Sequence, residues 1–461
     1  MSGNNKIDTG IGNTGESRKK SGARSGSGAE KLAIHGGLPV RTEPFHAWPV
    51  FDKREEELLL QALKSLDWSF NGPLELKFAE MFSKFHDAPF GFCVVNGSVS
   101  LEIALKIADI RPGDEVIVPP LTWMGTAASV LFKNAVPVFV DIEPDTYCID
   151  PDLVEAAITP RTRAIIPVHL YGNMADMDRI MEIAEKRGLT VIEDCAHTHG
   201  SKWRGKGAGS IGDFGSFSFQ QSKLITSGEG GFIMTKKEAF AEEIYAYKHV
   251  GYHRKGKMWN FFYEGDYDKG LLKGAFIGEK KNTFIGHNYR FNDFQAAVLL
   301  AQLERLPAQI RKREENAAIL SQGLSAINGV KPMRRDPRVS RQSYYQYVFR
   351  CGIEEFLGVK STQIRDALRA EGISCGIVYD PVYRCPLFSP DTGGYPFKFS
   401  DYGEKVKYDE LYLKVVETAA THEAITIPHE VLLGSRKDIS DIIEAVAKVR
   451  KNRDILKETG R

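Results

Sequence analysis

Cysteine is scarce in this chain, and what there is lies scattered. Cys93, Cys148, Cys195, Cys351, Cys375 and Cys385 form no Cys-x-x-Cys pair. That excludes a disulfide framework and points to reduced thiols in a cytosolic setting. Neither sign of charge is in excess: 61 Lys and Arg stand against 60 Asp and Glu, a formal charge of +1. No global field therefore recruits nucleic acid or an anionic membrane surface. No apolar run reaches membrane-spanning length, and the first residues lack the hydrophobic segment of a signal peptide. No internal repeat is visible. No His, Cys and acid cluster has zinc spacing, and His197 and His199, two apart, fix no coordination geometry, so no metal is expected. What remains is the composition of a soluble cytoplasmic globular protein, 42% hydrophobic and 26% charged over 461 residues. That length accommodates one large α/β domain and a smaller one.

Residues 1–30 differ from the rest. "NTGESRKKSGARSGSGAE" is Gly, Ser and Asn punctuated by charge, and a segment that buries so little cannot offset its ordering entropy. It reads as a disordered tail, and its basic cluster of Arg18, Lys19, Lys20 and Arg24 reads as solvated surface. In "FDKREEELLLQALKSL", Asp52 caps a helix and Glu55 reaches back from the third position, a capping box. Further on, the apolar runs "FGFCVV", "EVIVPP", "VPVFVDI", "RAIIPVHL" and "LTVIEDCAH" alternate with helical segments such as "VSLEIALKIAD" and "MADMDRIMEIAEKRG". Buried strands separated by helices predict the α/β class, a mostly parallel sheet covered on both faces. "NDFQAAVLLAQLERLPAQIRKREENAAIL" predicts a helix pair or a kinked helix interrupted at Pro307. We expect a large domain over 31–325 and a smaller C-terminal α+β domain over 326–461. Residues 251–286 mix glycine, lysine and aromatics without periodicity and are expected to form a long loop.

Ligands of parallel α/β sheets gather at the carboxyl ends of strands, and three motifs fall at such ends. "VVNGSVSLEIAL" is strand, Asn96–Gly97 turn, then helix; its first turn offers free N–H groups and the Ser98 hydroxyl to an anion such as phosphate, although glycine turns before helices are common. "VIEDCAHTHG" ends an apolar strand on Glu193 and Asp194, each of which could equally be a structural cap. Trp123 follows another strand, as a core plug or as a stacking platform. The fourth element is Lys223 in "SFSFQQSKLITSGEGGF", with apolar or small neighbours and no acid before Glu229. Together they meet one specification: a phosphate binder, a planar stacker, an acid for a ring nitrogen and a lysine for a carbonyl. Pyridoxal phosphate requires all four.

The motifs "NGSVSLEIAL", "PPLTWMGTAASV", "VIEDCAHTHGS", "GSFSFQQSKLITSGEGG" and "GHNYRFNDFQAAVLLAQLERL" resemble, in order and over residues 31–450, the DegT/StrS family of sugar and cyclitol aminotransferases. The resemblance implies a pyridoxal-phosphate-dependent transferase of fold type I, with a mostly parallel seven-stranded sheet, acting as a homodimer with shared active sites. It makes Lys223 the Schiff-base lysine and Asp194 the acid on the pyridine nitrogen. Ser218, Ser98 and the Val99 amide become phosphate ligands, with Trp123 the stacked ring and Asn288 a phosphate ligand reaching over from the neighbouring subunit. His197 stands where many relatives carry glutamine, near the cofactor's phenolic oxygen. Arg290 meets an anionic substrate group or forms a structural ion pair. The lysine would take the donor's α-proton and return it to the cofactor carbon.

Relatives with histidine at the lysine position dehydrate their substrates, so Lys223 argues for transamination. "LAIHGGLPVRTEPFHAWPVF" and "YDPVYRCPLF" look most like the glutamine-dependent scyllo-inosose aminotransferases and the aminohydroxybenzoate synthases. The implied reaction is amination of a keto-cyclitol or keto-sugar with glutamine or glutamate as donor. A dehydrating or aromatising reaction on the same cofactor and a nucleotide-sugar aminotransferase are the alternatives.

Overall fold

The computed structural model describes residues 31–251, 285–388 and 407–458. The expected tail at 1–30 and residues 252–284 of the expected loop lie outside the described residues. Seven strands build the main sheet: β1 (Phe90–Val94), β2 (Glu115–Val118), β3 (Val136–Phe139), β4 (Thr162–Ile165), β5 (Thr190–Asp194), β6 (Phe214–Ser218) and β7 (Gly231–Thr235). Their spatial order is β1-β7-β6-β5-β4-β2-β3. Only β7 runs against the others. The inner strands are buried along nearly their whole length, which is why they read as unbroken apolar runs rather than alternating ones.

Helices cover both faces for local reasons. Asp52 Oδ1 accepts from the Arg54 amide at 2.8 Å, and Glu55 Oε2 accepts from the Asp52 amide at 3.0 Å, so the capping box starts the Lys53–Ser65 helix as expected. The Met177–Arg187 helix stops at Gly188, whose φ of 67° is left-handed. Inside the sheet's cover, Phe82 meets Phe217 and Phe232 edge to face at 5.0 and 4.9 Å. Each such ring contributes about 1.5–3 kcal/mol by burial.

Residues 293–325 form one helix, Asp293–Ser325, with Pro307 in its interior; there is no helix pair. The buried positions Leu299, Leu303 and Leu306 before the proline continue as Ile310, Ala317 and Leu320 after it. A packed face of that length outweighs the one hydrogen bond that proline removes.

A second buried core lies around the antiparallel sheet of β8 (Val330–Pro332), β9 (Gln346–Cys351) and β10 (Ala424–Pro428). Chain crosses the expected boundary at 325 in both directions. Leu32 packs in this second core, and Arg41 binds Asp438 at 2.7 Å and Asp441 at 2.9 Å. Conversely, Val339–Arg341 pairs with Lys202–Trp203 beside the main sheet, and Val382, Tyr383 and Phe388 join the first core. The carboxyl ends of β5 and β6 open into a cavity.

Candidate active site

A cavity of about 550 Å³ opens there, lined by Asp194, Ser218 and Lys223 from the ends of β5 and β6 and by Ser98, Trp123 and His197. Of the residues singled out from the sequence, six meet in this one space.

Lys223 follows β6 in a turn closed by the Lys223 amide on the Gln220 carbonyl at 2.8 Å. Leu224 and Ile225, both fully buried, anchor it to the core. The side chain is only 8% exposed, and its Nζ lies 4.7 Å from the Tyr345 ring centroid. Desolvation lowers its pKa to about 8, and the field of Asp194 opposes that shift. A lysine so placed holds an appreciable neutral fraction near neutrality, as an amine acting on a carbonyl must.

Asp194 is 6% exposed. Its Oδ2 accepts from Thr126 Oγ1 at 2.8 Å, and Thr126 in turn touches Thr122 Oγ1 at 2.9 Å. Its Oδ1 accepts from the Ala196 amide at 3.2 Å. Burial raises its pKa, more than Thr126, Ala196 and Lys223 lower it. A carboxylate held at the cavity floor with its charge under-compensated is suited to a cationic ring nitrogen.

The turn expected to bind phosphate lies at the cavity, with one difference from expectation. The Gly97–Ile107 helix points its amino end at the cavity beside Ser218, and a side chain on Gly97 would meet Ser218 Cβ at 2.8 Å. A side chain on Gly125 would meet Ser98 Oγ at 2.9 Å, so both glycines keep the cradle open. The Val99 amide, however, donates to Asn96 Oδ1 at 2.9 Å. It is engaged by the N-cap, and the amides left for an anion are those of Gly97 and Ser98.

His197 is buried with its ring stacked on Tyr345 at 3.9 Å and on Tyr171 at 5.7 Å. Its Nδ1 accepts from the Tyr171 amide at 3.3 Å, which leaves the proton on Nε2; burial and Lys223 keep the ring neutral. Trp123 sits at the rim, 61% exposed, edge-on to Tyr379 at 6.3 Å. Asn288 is not in the cavity; it is exposed and bridges to His249. Among the described residues Arg290 makes no ion pair and lies over the Phe70 ring at 4.8 Å.

Thr126, Tyr345 and Tyr379 escaped the sequence reading. Thr122 and Thr126 flank Trp123 at helical spacing, a signal that was there to use; the tyrosines reach the site only through tertiary contact. On composition and placement the cavity fits pyridoxal phosphate.

Three comparisons bear on this arrangement. The DegT/DnrJ/EryC1/StrS aminotransferase family model matches residues 49–446. A Streptoalloteichus tenebrarius protein provisionally named L-glutamine:3-amino-2,3-dideoxy-scyllo-inosose aminotransferase is 42% identical over 433 residues, 93% of this chain and 99% of that one. The L-glutamine:2-deoxy-scyllo-inosose aminotransferase of Streptomyces kanamyceticus is 36% identical over 435 residues, again 93% and 99%. The crystal structure of 3-amino-5-hydroxybenzoic acid synthase superposes with a TM-score of 0.74 at 31% identity, covering 87% of this chain and 97% of that one. The architecture is that of the pyridoxal-phosphate-dependent transferases of fold type I.

Proposed function

The chain belongs to the DegT/DnrJ/EryC1/StrS aminotransferase family, and on that premise we propose that it moves the amino group of L-glutamine to a keto-cyclitol of the scyllo-inosose class. The observation that carries this reading is Lys223 and Asp194 facing one cavity, with a helix amino end beside them. The relatives' substrates give the acceptor class, and glutamate is the competing donor.

Pyridoxal phosphate, when bound, supplies an electrophilic carbon and a ring that accepts electron density. The chain's residues do the rest. Gly97 and Ser98 amides with the Ser98 and Ser218 hydroxyls would hold the phosphate, and Asp194 would keep a proton on the ring nitrogen. Trp123 would cover the ring and His197 would border its phenolic side. Lys223 Nζ would hold the cofactor through that carbon and, once the donor amine has displaced it, would be the base placed to move the donor's α-proton. Its pKa of about 8 leaves roughly a tenth of it neutral at pH 7.

A second copy of the chain completes the site with Asn288. Exposed Leu60, Leu63, Leu66 and Trp68 on one side of the molecule support a covered face of this kind.

The test is the loaded protein with L-glutamine and 2-deoxy-scyllo-inosose, followed by mass spectrometry. An amine formed in step with glutamine consumed is the expected result, with at least a 10³-fold loss, as an order of magnitude, in Lys223→Ala. Water lost from the ring without nitrogen transfer would instead identify an aromatising enzyme. A dimer is checked by light scattering.

A further inference from the structure

The turn that carries Lys223 is gripped from behind by residues that never reach the cavity. The Gln221 carbonyl accepts from Trp48 Nε1–H at 3.0 Å. The next carbonyl, that of Ser222, accepts from His429 Nε2 at 3.1 Å. The Trp48 and His429 rings meet edge to face at 4.4 Å, so the two donors brace each other. Neither ring lines the cavity.

His429 is itself held. Arg313 Nη2 approaches its Nδ1 at 3.3 Å, and Arg313 Nε donates to its carbonyl at 3.4 Å. A guanidinium only donates, so Nδ1 is the acceptor and the proton sits on Nε2, where the Ser222 carbonyl needs it. Arg313 is fully buried and its Nη1 has no hydrogen-bond partner. The carboxylate whose field it feels is Glu430, which also lies 3.8 Å from His429 Nε2 and, among the described residues, makes no ion pair with Arg313. Burying a cation compensated only at a distance is costly, and an apolar side chain would fill the same core position without that cost. Packing therefore does not account for Arg313, whereas fixing the tautomer and tilt of His429 does.

We propose that His429, oriented by Arg313, and Trp48 are positioning residues that fix the Ser222–Lys223 peptide and so aim the Lys223 amine. They come from three distant stretches: the segment before the first long helix, the 293–325 helix and the end of β10. The site's amine is thus set by the packing of the second core and the N-terminal segment, not by β6 alone. Displacement of a reacting group by about 1 Å costs on the order of 10²-fold in rate, and a lysine on a four-carbon stem inherits any tilt of its peptide.

This inference rests on the reading of Lys223 as the cofactor-bearing lysine, and the experiment separates the two. Borohydride reduction of the loaded wild type and peptide mapping come first; a label on any other residue overturns the Lys223 reading and this proposal with it. With the label on Lys223, H429L, H429Q and W48F are compared as loaded dimers or monomers, whichever form the wild type takes. H429L removes the donor, while H429Q keeps one. The expected result is a fall in kcat of about 30-fold in H429L with KM within about threefold. The visible absorbance band should also titrate at a displaced pH, and H429Q should recover most of both effects. W48F should show the same changes at about threefold. Equal kcat and equal spectral titration in H429L and H429Q, whatever their melting temperatures, would overturn the proposal. Should H429L fail to fold, a W48F protein with wild-type spectrum and kcat overturns it.

Discussion

At the end of β5 two carboxylates stand one residue apart and face opposite sides of the sheet. Glu193 turns away from the cavity and is saturated. Its Oε2 takes His169 Nε2 and the Gly209 amide at 2.9 Å each, and its Oε1 takes the Ile211 and Gly212 amides at 2.8 and 2.7 Å. A carboxylate has about four acceptor positions, so none is left for a metal in the cluster with His169 and Cys195. Asp194 turns into the cavity with one hydroxyl and one amide on it. The loop beyond repeats the pattern: His197 borders the cavity, while His199 donates to the Ser218 carbonyl at 2.9 Å inside the core. In β5 the alternation of a pleated strand sorts the two carboxylates into a face that holds the fold together and a face kept open for chemistry, and the loop beyond, which is not a strand, divides its two histidines likewise.

Charge-removing, shape-conserving substitutions are the sharpest test of that division. Asp194→Asn should lower kcat by about 10²–10³-fold while the melting temperature moves by no more than about 2 °C. Glu193→Gln places an NH₂ against backbone donors and leaves at least one of them unsatisfied, at about 1–3 kcal/mol each. The expected outcome is a clear fall in melting temperature with kcat per loaded site within about twofold. Calorimetry and steady-state assays on the two variants check this pair; a larger stability loss for Asp194→Asn would erase the distinction.

The same division explains what could be read from the sequence. Asp194, Ser218 and Lys223 were legible because each sits at or just past an apolar strand run, where parallel sheets place ligands. The choice of Asp194 over Glu193 came from the family resemblance and not from the pattern, since a fully buried run carries no alternation to give the register. Thr126 and Tyr345 were missed because their partners, Asp194 and Ser222, lie far away along the chain. Leu32 in the second core is likewise a tertiary fact. Pro307 left a helix pair open as one reading of 293–325, and the structure has a single helix because local propensity yields to a long packed face.

Lys223 belongs to the open face, and its cost should be measurable. Its folded pKa of about 8 lies below the unfolded value. Between about pH 8 and 10.5 the unfolded chain binds the extra proton, so this group's contribution to stability rises with pH across that window. The full difference is roughly 3 kcal/mol. Cofactor-free Lys223→Met should therefore be more stable than the cofactor-free wild type at pH 7, and the gap should close towards pH 10.5. Denaturant unfolding of both proteins at stepped pH gives the difference directly; a gap independent of pH would mean that the lysine is solvated.

The smallest effect separates the two faces within one helix turn. Asn96 caps the Gly97–Ile107 helix by taking the Val99 amide, at the same helix end that faces the cavity. Asn96→Ala should lose the cap, about 1 kcal/mol. Yet it frees an amide in the first turn of that helix, where an anion at the helix end could replace the lost acceptor. Without cofactor, the variant should melt a few degrees below the wild type. With pyridoxal phosphate bound, the gap should shrink, because the phosphate binds the folded state and satisfies the freed donor. Melting curves at increasing cofactor concentration read this out. A gap that stays constant would place the phosphate on Gly97, Ser98 and Ser218 alone, with Val99 belonging wholly to the scaffold.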